Sequence, residues 1–237
     1  MIGALGDIHG AFAAARAAIA RHPEISIWLC VGDIADDAST WGGAGRGYEP
    51  LGARVYWIHG NNDNFDAIAA GDLPADLEHI ENGTSVEVVH RGAPVVQVAG
   101  LGGTFAPTWY ETAASALPHP KKGSVKATEL ADKRRHFVRE EVEACKALRG
   151  TGIDILLTHE APRPFRPFAG RGPDAGKAQI NEVLAAMQPR LHLFGHHHRF
   201  SDQTYEGVRS IGLDLVTRGY LLIDVESMTV TPQPAAG

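Results

Sequence analysis

The sequence predicts an α/β fold in which two packed mixed β-sheets are flanked by helices. Short apolar runs, each followed by polar or glycine-rich residues, alternate with helical stretches, and this alternation is typical of an α/β domain. Two further regions, residues 85–100 and 208–225, are rich in Val, Ile and Leu and contain turn residues without an intervening helix. They predict hairpins and therefore a second sheet.

Five apolar runs have the length expected of buried strands. They cover residues 2–5, 25–31, 55–58, 153–157 and 191–194. Helices are expected at residues 11–21, 65–70, 127–148 and 175–187. In the long third helix, one face collects the apolar side chains that we expect to be buried, namely Leu130, Phe137, Val138, Cys145 and Leu148.

The composition is that of an ordinary globular protein. Of the 237 residues, 44% are hydrophobic and 21% are charged, which is enough apolar material for a sizeable core. No linker-like shift of composition divides the chain, so we expect a single domain over residues 1–237. The formal net charge is -6, so the field of the whole molecule repels a long polyanion, and a nucleic-acid substrate would need a local basic patch.

Cysteine content and hydropathy indicate the compartment. Cys30 lies in an apolar run and Cys145 on a helical face, so we expect both to pack in the core, without a disulfide, in a reducing compartment. No apolar run approaches the roughly 20 residues that a membrane-spanning helix needs. We therefore expect a soluble, cytoplasmic protein without a membrane partner.

Polar motifs follow the predicted strands at the point where each strand ends. They are Gly-Asp-Ile-His-Gly at residues 6–10, Gly-Asp at 32–33, Gly-Asn-Asn-Asp at 60–63, Thr-His-Glu at 158–160 and Gly-His-His-His at 195–198. In α/β sheets, ligands bind beyond the carboxyl ends of the strands, so the five loops are expected to meet in one place. A glycine beside a ligand lets the backbone turn sharply enough to aim the neighbouring side chain.

The joint residue set of these loops indicates a metal site. A single Gly-Asp turn is more commonly a structural turn, and a lone histidine is more commonly a packed or surface residue. Two aspartates, one asparagine and four histidines at strand ends instead form a nitrogen and oxygen ligand set suited to Zn, Mn or Fe. An aspartate carboxylate has two oxygens and can bridge two cations.

The five motifs, in this order, resemble the signature blocks of calcineurin-like metallophosphoesterases over residues 7–198. The resemblance implies two divalent transition-metal ions and a phosphate ester hydrolysed by a metal-bridged hydroxide. It implies that Asp7, His9 and His198 bind one metal and that Asp33 bridges both. The ligands that it implies for the other metal are Asn61, His159 and His196.

One position departs from the family pattern. The family usually has a histidine after the metal-binding asparagine and assigns it to assisting the leaving group, whereas this chain has Asn62. An amide can donate a hydrogen bond but cannot deliver a proton near neutral pH. We expect Asn62 and the neighbouring Asp63 to act in catalysis, Asp63 by holding another side chain or, alternatively, only as the N-cap of the helix that begins at Phe65.

Candidate substrate-binding residues are Arg163 and Arg166, which follow the His159 turn, and His119. Other basic and aromatic residues occur nearby in the sequence or in the glycine-rich stretch at residues 41–47, namely Arg46, Trp109, Tyr110, Lys121, Lys122 and Arg171. Basic side chains interleaved with aromatics suit a nucleotide or single-stranded nucleic acid. The alternative is a solvated loop with a few packed aromatics.

The sequence therefore predicts a phosphodiesterase that acts on a nucleotide or an RNA-like substrate. Residues 101–110 and 135–159 distantly resemble RNA lariat debranching enzymes, although those usually have Cys where Asp7 stands. A protein Ser/Thr phosphatase or small-molecule phosphomonoesterase is an alternative, but residues 32–37 lack the arginine that is usual in the protein phosphatases. A scaffold that retains metals without turnover is the alternative of another class.

Overall fold

Two six-stranded mixed sheets lie at the centre of the computed structural model, which describes residues 1–35, 48, 50–90, 93–120, 132–167 and 172–235. The strands are β1 (Ile2–Leu5), β2 (Ile27–Cys30), β3 (Arg54–Trp57), β4 (Leu77–His79), β5 (Ser85–His90), β6 (Ala93–Leu101), β7 (Thr104–Phe105), β8 (His136–Phe137), β9 (Ile155–Thr158), β10 (Leu191–Phe194), β11 (Ser201–Tyr205), β12 (Val208–Gly212), β13 (Gly219–Asp224) and β14 (Thr229–Pro234). The α-helices of the described part are α1 (Phe12–Ala20), α2 (Phe65–Ala70), α3 (Arg139–Ala147) and α4 (Ala178–Met187).

The strand order explains why the polar loops lie on one side. The first sheet has the order β14-β13-β1-β2-β3-β4, in which β1 to β4 run parallel. The second has the order β11-β12-β10-β9-β6-β5, in which β12, β10, β9 and β6 run parallel. The carboxyl ends of parallel strands meet at the same edge of a sheet, so the loops after β1, β2 and β3, and those after β9 and β10, lie side by side.

Alternate side chains of the parallel strands divide the core into layers. Ile2 and Ala4 of β1 face the apolar cluster shared by both sheets, whereas Leu5 belongs to the cluster under α1. On the second sheet, Ile155 and Leu157 face the shared cluster, and Leu156 packs under α3 and α4. This arrangement confirms the predicted fold of two packed mixed sheets flanked by helices.

The prediction of a hairpin at residues 208–225 is wrong. Its two strands belong to different sheets, because β12 pairs with β10 and β11, whereas β13 pairs with β1 and β14. The connecting segment passes the end of β1, where the backbone N–H of Val216 donates to the carbonyl oxygen of Asp7 at 3.1 Å. The hairpin partners of β12 and β13 are β11 and β14, which are largely exposed edge strands and have no apolar run to mark them.

The long helix predicted at residues 127–148 begins only at Arg139, and residues 127–131 lie outside the described part. His136 and Phe137 instead form β8, which pairs with β7. The helix starts after Val138, whose backbone N–H donates to Glu141 Oε2 at 2.8 Å. Phe137 and Val138 are nevertheless buried, as predicted, and Phe137 belongs to the apolar cluster under α3 and α4.

Both cysteines behave as predicted from the sequence, since Cys30 and Cys145 are free thiols in the buried core. Within the described ranges, none of the helices has the length and apolar character that crossing a bilayer would require.

One histidine of the second sheet is buried without facing the polar loops. His192 of β10 has its Nε2 atom 2.8 Å from Thr158 Oγ1 and its Nδ1 atom 3.0 Å from Ser210 Oγ. Burial lowers the pKa of His192 to about 3, well below its ordinary value. The folded chain therefore keeps this imidazole neutral under mildly acidic conditions, in which the unfolded chain would protonate it.

We expect His192 to make stability depend on pH below neutrality. Below about pH 6.5 the unfolded chain gains a proton at this position that the folded chain lacks, so the free energy of unfolding falls by about 1.4 kcal/mol per pH unit for this group as the pH decreases. The measurement is urea unfolding of chelator-treated protein at pH 6.5 and 4.5. Between these two pH values, the free energy of unfolding of His192→Gln is expected to fall less than that of wild type, because the contribution of His192 is absent. The exposed His119→Gln variant serves as the control, and equal slopes in wild type and His192→Gln would contradict the assignment.

Candidate metal centre

The polar loops after the two sets of parallel strands are joined by direct contacts. The backbone N–H of His9 donates to the carbonyl oxygen of Asp33 at 2.7 Å, which joins the loops after β1 and β2. Asn62, after β3, donates its backbone N–H to Asp33 Oδ1 at 2.8 Å. His159, after β9, lies with its Nδ1 atom 2.8 Å from the carbonyl oxygen of Val31. The predicted convergence of strand-end loops is therefore present.

Asp7, His9 and His198 form one group of candidate ligands, whose donor atoms all lie within 4.8 Å of one another. His198 Nε2 lies 3.0 Å from Asp7 Oδ2 and 3.1 Å from His9 Nε2. Asp7 is buried, and its two carboxylate oxygens accept the backbone N–H of His196 at 3.2 and 3.0 Å. The backbone N–H of His196 thus fixes the Asp7 carboxylate, which lies close to the imidazoles of His9 and His198.

Asp33, His159 and His196 form a second group, also with donor atoms within 4.8 Å of one another. Asn61 joins it, because its Oδ1 atom lies 3.2 Å from His159 Nε2. Burial lowers the pKa of His196 to about 3, with a further lowering from the charge of His159. The His196 imidazole is therefore neutral near pH 7, which is the form that binds a metal.

Asp33 lies between the two groups. Its Oδ2 atom is 3.6 Å from His9 Nε2 in the first group and 3.5 Å from His159 Nε2 in the second. Its carboxylate is almost completely buried. Burial alone would raise the pKa of Asp33, but the charge of His159 and the hydrogen bonds from His159 and Asn62 hold that pKa well below its usual range. The geometry is that of a carboxylate shared by two cation sites.

The donor set fits two divalent cations. A carbonyl oxygen can only accept, so His159 Nδ1 carries the proton that faces Val31, and Nε2 presents a lone pair toward Asn61 Oδ1 and Asp33 Oδ2 when the ring is neutral. Burial opposes a charge on His159, yet Asp33 raises the pKa of His159 to about 10. The surroundings of this imidazole therefore favour a positive charge, which a bound cation supplies as well as a proton does.

Backbone strain is concentrated at these residues. His9, Asp33, His196 and His198 have φ values of 45°, 49°, 66° and 48°, in the left-handed region that non-glycine residues rarely adopt. Each such residue costs about 1–2 kcal/mol, and it persists only where the surrounding structure fixes it. Four of the seven ligands predicted from the sequence are held in this way, as is typical of functional sites.

The sequence model of the calcineurin-like phosphoesterase family matches residues 1–200. The chain belongs to this family. Solved structures agree with the fold: TT1561 of Thermus thermophilus is 15% identical with a TM-score of 0.64, over 98% of this chain and 97% of its own. A dimetal phosphatase from Danio rerio is 13% identical, with a TM-score of 0.62 over 99% of this chain and 95% of its own.

A third similar structure is the phosphopantetheinyl hydrolase of Mycobacterium tuberculosis. It is 12% identical with a TM-score of 0.55, over 91% of this chain and 89% of its own. No curated protein sequence matches the chain. Family membership and the two ligand groups make this phosphoesterase a dinuclear metal-dependent phosphoric ester hydrolase.

In this phosphoesterase, Asn62 is bound to the central carboxylate. Its side-chain amide donates to Asp33 Oδ2 at 2.9 Å, the same oxygen that faces both His9 and His159. Its backbone N–H holds the other oxygen. Asn62 thus orients the carboxylate with two donors, and the catalytic role assigned to it from the sequence stays a prediction.

Asp63 ties three backbone segments together. Its carboxylate accepts the backbone N–H groups of Asp33, Gly60 and Ala35 at 3.0, 2.6 and 3.0 Å. Burial and then the charge of Asp33 raise the pKa of Asp63 to about 7, while these donors favour the ionised form. The N-cap of α2 is Asn64, whose Oδ1 accepts the N–H of Ala67, so the alternative role of Asp63 as that cap is wrong.

The candidate substrate-binding residues lie in different surroundings. Arg163 forms an ion pair with Asp174, with Nε 3.0 Å from Oδ2. The exposed His119 has Nδ1 3.2 Å from the carbonyl oxygen of Leu117, and no contact within the described part joins it to the ligand groups. Arg166 lines a hollow together with Arg199, which follows the ligand His198. Arg46, Lys121, Lys122 and Arg171 lie outside the described residues.

The aromatic residues near His119 are packed rather than free. Tyr110 is buried, lies against Phe105 and Phe137, and has the Arg139 guanidinium 4.7 Å from its ring centroid. The Lys133 ammonium lies 5.8 Å from the ring centroid of Trp109. In its described part, this segment matches the alternative of a loop with packed aromatics.

Glu160 belongs to the Thr-His-Glu motif, but the sequence alone indicates no role for it. It is buried, and its Oε1 accepts the backbone N–H of Phe105 at 3.1 Å, while Oε2 lies 3.8 Å from His197 Nε2. His197 also lies against Phe165 in a tilted arrangement, with ring centroids 4.8 Å apart. Glu160 and His197 therefore pack behind the candidate ligands His159, His196 and His198, and only their positions next to these residues in the chain could have indicated it.

Proposed function

We propose that this phosphoesterase is a phosphodiesterase whose substrate is a nucleotide or a nucleic acid. Two divalent ions of Mn, Fe or Zn in the ligand groups would lower the pKa of a bound water toward about 7 and neutralise charge on the reacting phosphate. Asn62 and Asp63 hold Asp33 in the shared position, and Val31 orients the His159 ring.

Two free cysteines support a reducing compartment, so we also propose a cytoplasmic location.

The observation that carries the diester preference is the charge around the ligand groups. A monoester dianion has three terminal oxygens and two negative charges, and it favours an added guanidinium or ammonium clamp. In the described ranges, no lysine or arginine donates to Asp7, Asp33 or Asn61. Arg218, at the border of the site, donates instead to the carbonyl oxygen of His198 and to Asp214, at 3.4 and 3.1 Å. Such surroundings match the single charge of a diester.

The nature of residue 62 favours substrates with activated, weakly basic leaving groups. A histidine at this position could protonate a leaving oxygen, and positioned general acids contribute about 10²–10⁴-fold. The Asn62 amide cannot, and its N–H is already donated to Asp33.

We expect metal-loaded enzyme to hydrolyse bis-nitrophenyl phosphate with a higher kcat/KM than nitrophenyl phosphate. The two compounds share a leaving group and differ in charge, so their ratio reports how the site accommodates one or two negative charges. The measurement is the initial rate with added Mn at pH 6 to 9, with a chelator-treated sample as the control for metal dependence. Faster hydrolysis of the monoester throughout that range would make the protein a phosphomonoesterase.

A further inference from the structure

Phe200 is an exposed aromatic side chain beside a metal ligand. It is 45% exposed, and among the described residues the other large apolar side chains with comparable exposure are Met1 and Val89. It follows His198 by two positions, so its Cα lies at most about 7.6 Å from that of the ligand. Exposing a phenyl ring to water is unfavourable, so a ligand that covers the Phe200 ring would gain stabilisation from it.

Phe200 forms a wall shared by two hollows. One hollow, of about 370 Å³, is lined by Pro164, Phe165, Arg166, Arg199 and the start of β11. The other, of about 230 Å³, lies on the other side and is lined by Leu213, Asp214, Arg218, Tyr220 and residues 232–234. The ring therefore stands as a ridge between two concave surfaces, both of which adjoin the loop that carries His198.

The larger hollow is positively charged in a protein whose net charge is -6. Arg166 is exposed and, among the described residues, makes no hydrogen bond or ion pair. Arg199 donates to the carbonyl oxygen of Pro167, a neutral acceptor that leaves its charge in place. Asp202 also lines the hollow, but both of its carboxylate oxygens accept from Arg209, at 3.1 and 2.8 Å. Two uncompensated guanidinium groups thus lie beside the Phe200 ring.

We infer that this ridge and the larger hollow bind a nucleotide unit next to the reacting phosphate, with the base stacked on Phe200 and a second phosphate at Arg166 and Arg199. Stacking on an aromatic side chain accepts any base, and guanidinium groups pair with phosphate through two parallel N–H donors. The inference rests on the proposed function and names its substrate class: a phosphodiester that joins nucleotide units, as in a dinucleotide or a short single strand.

The test compares two diesters that share the nitrophenyl leaving group and differ in the other arm, a methyl group or thymidine linked through its 5′ oxygen. Wild type is expected to prefer the thymidine ester, and Phe200→Ala is expected to lower kcat/KM for that ester by about 5- to 150-fold, the range for loss of one stacked base. The methyl ester is expected to change less than about twofold, because it does not reach the ring. Phe200→Tyr keeps a stacking face and is expected to retain the preference.

Arg166 is tested with thymidine esters that have or lack a phosphate on the 3′ oxygen. Arg166→Gln is expected to remove about tenfold of the advantage of the phosphorylated ester, since one charged hydrogen-bonding pair is lost, and to affect the ester without this phosphate less. For Phe200→Ala, the matched control is Val89→Ala, because it truncates another exposed apolar side chain, in β5. Thermal unfolding of every variant shows that each is folded.

The outcomes separate this inference from the diester preference. Because both esters are diesters with one leaving group, a wild type that prefers monoesters still yields the thymidine-to-methyl ratio. A ratio near one in wild type, or equal losses on both esters in Phe200→Ala, would overturn the nucleotide subsite. Faster hydrolysis of a nitrophenyl phosphodiester of a serine peptide than of the thymidine ester would overturn it as well and would assign the hollow to a peptide.

Discussion

Replacing Asp33 with alanine is expected to remove both metal ions and to lower kcat/KM by about 10³-fold or more, since the ions supply several kcal/mol of transition-state stabilisation. Asp33 Oδ2 lies 3.6 Å from His9 in one ligand group and 3.5 Å from His159 in the other, so its loss affects both. Asp7 belongs to one group only, and Asp7→Asn is expected to leave one metal per chain. The measurement is the metal content after loading and gel filtration, together with hydrolysis of the nitrophenyl diester.

Asp224→Asn provides the matched control for Asp7→Asn. It also converts a carboxylate to an amide, but at the end of β13, where Oδ1 accepts from Ser227. It is expected to keep two metals and activity close to that of wild type. Retention of two metals in Asp33→Ala, or activity within tenfold of wild type, would remove Asp33 from the shared position.

The convergence of the candidate ligands could be predicted because the chemistry and the fold give the same signal. Each motif places a glycine and a polar side chain directly after a buried apolar run, as in Val31, Gly32 and Asp33. The period of the strands and the location of ligands at their carboxyl ends are general rules, so the convergence on one site follows from the order of the motifs. The structure then adds that Asp33 faces both groups, which no spacing could show.

What the sequence could not predict depends on distant partners. The strands β12 and β13 have similar apolar patterns, yet β12 belongs to the second sheet and β13 to the first. The segment between them is hydrogen-bonded to the carbonyl oxygen of Asp7, a contact that the sequence does not show. The roles of Asn62 and Asp63 likewise depend on atoms of Asp33, about 30 positions earlier in the chain. Arg163 and Arg166 look equivalent in sequence, and only the ion pair with Asp174 distinguishes them.

Gly60→Ala is expected to impair the site although residue 60 is not itself a ligand. A Cβ atom at this position would lie 2.1 Å from Asp33 Oδ1 and 2.6 Å from the backbone nitrogen of Asp33. Such contacts are far shorter than van der Waals separation, so the carboxylate must move by about 1 Å, and displacement of a catalytic group by that distance can cost about 10²-fold. We expect kcat/KM for the nitrophenyl diester to fall by about that factor, with weaker retention of metal.

Gly71→Ala distinguishes this effect from a general loss of stability. Gly71 ends α2 with a φ of 66°, and a Cβ there would meet nothing within 4 Å. Its substitution costs about 1–2 kcal/mol of backbone strain without reaching the site, so lower stability with normal activity is expected. Overpacking in Gly60→Ala destabilises by about 1–3 kcal/mol, which makes the two variants comparable in stability.

Combining Gly60→Ala with Asp33→Ala completes the test. If residue 60 acts only by displacing the Asp33 carboxylate, its effect disappears once that carboxylate is absent, and the double variant is expected to be no less active than Asp33→Ala alone. Full additivity of the two losses would show that Gly60→Ala acts elsewhere, for example on Asp63, which accepts the Gly60 N–H at 2.6 Å. Activity within threefold of wild type in Gly60→Ala itself would show that the Asp33 loop can shift without cost, contrary to the close packing of the three loops around this carboxylate.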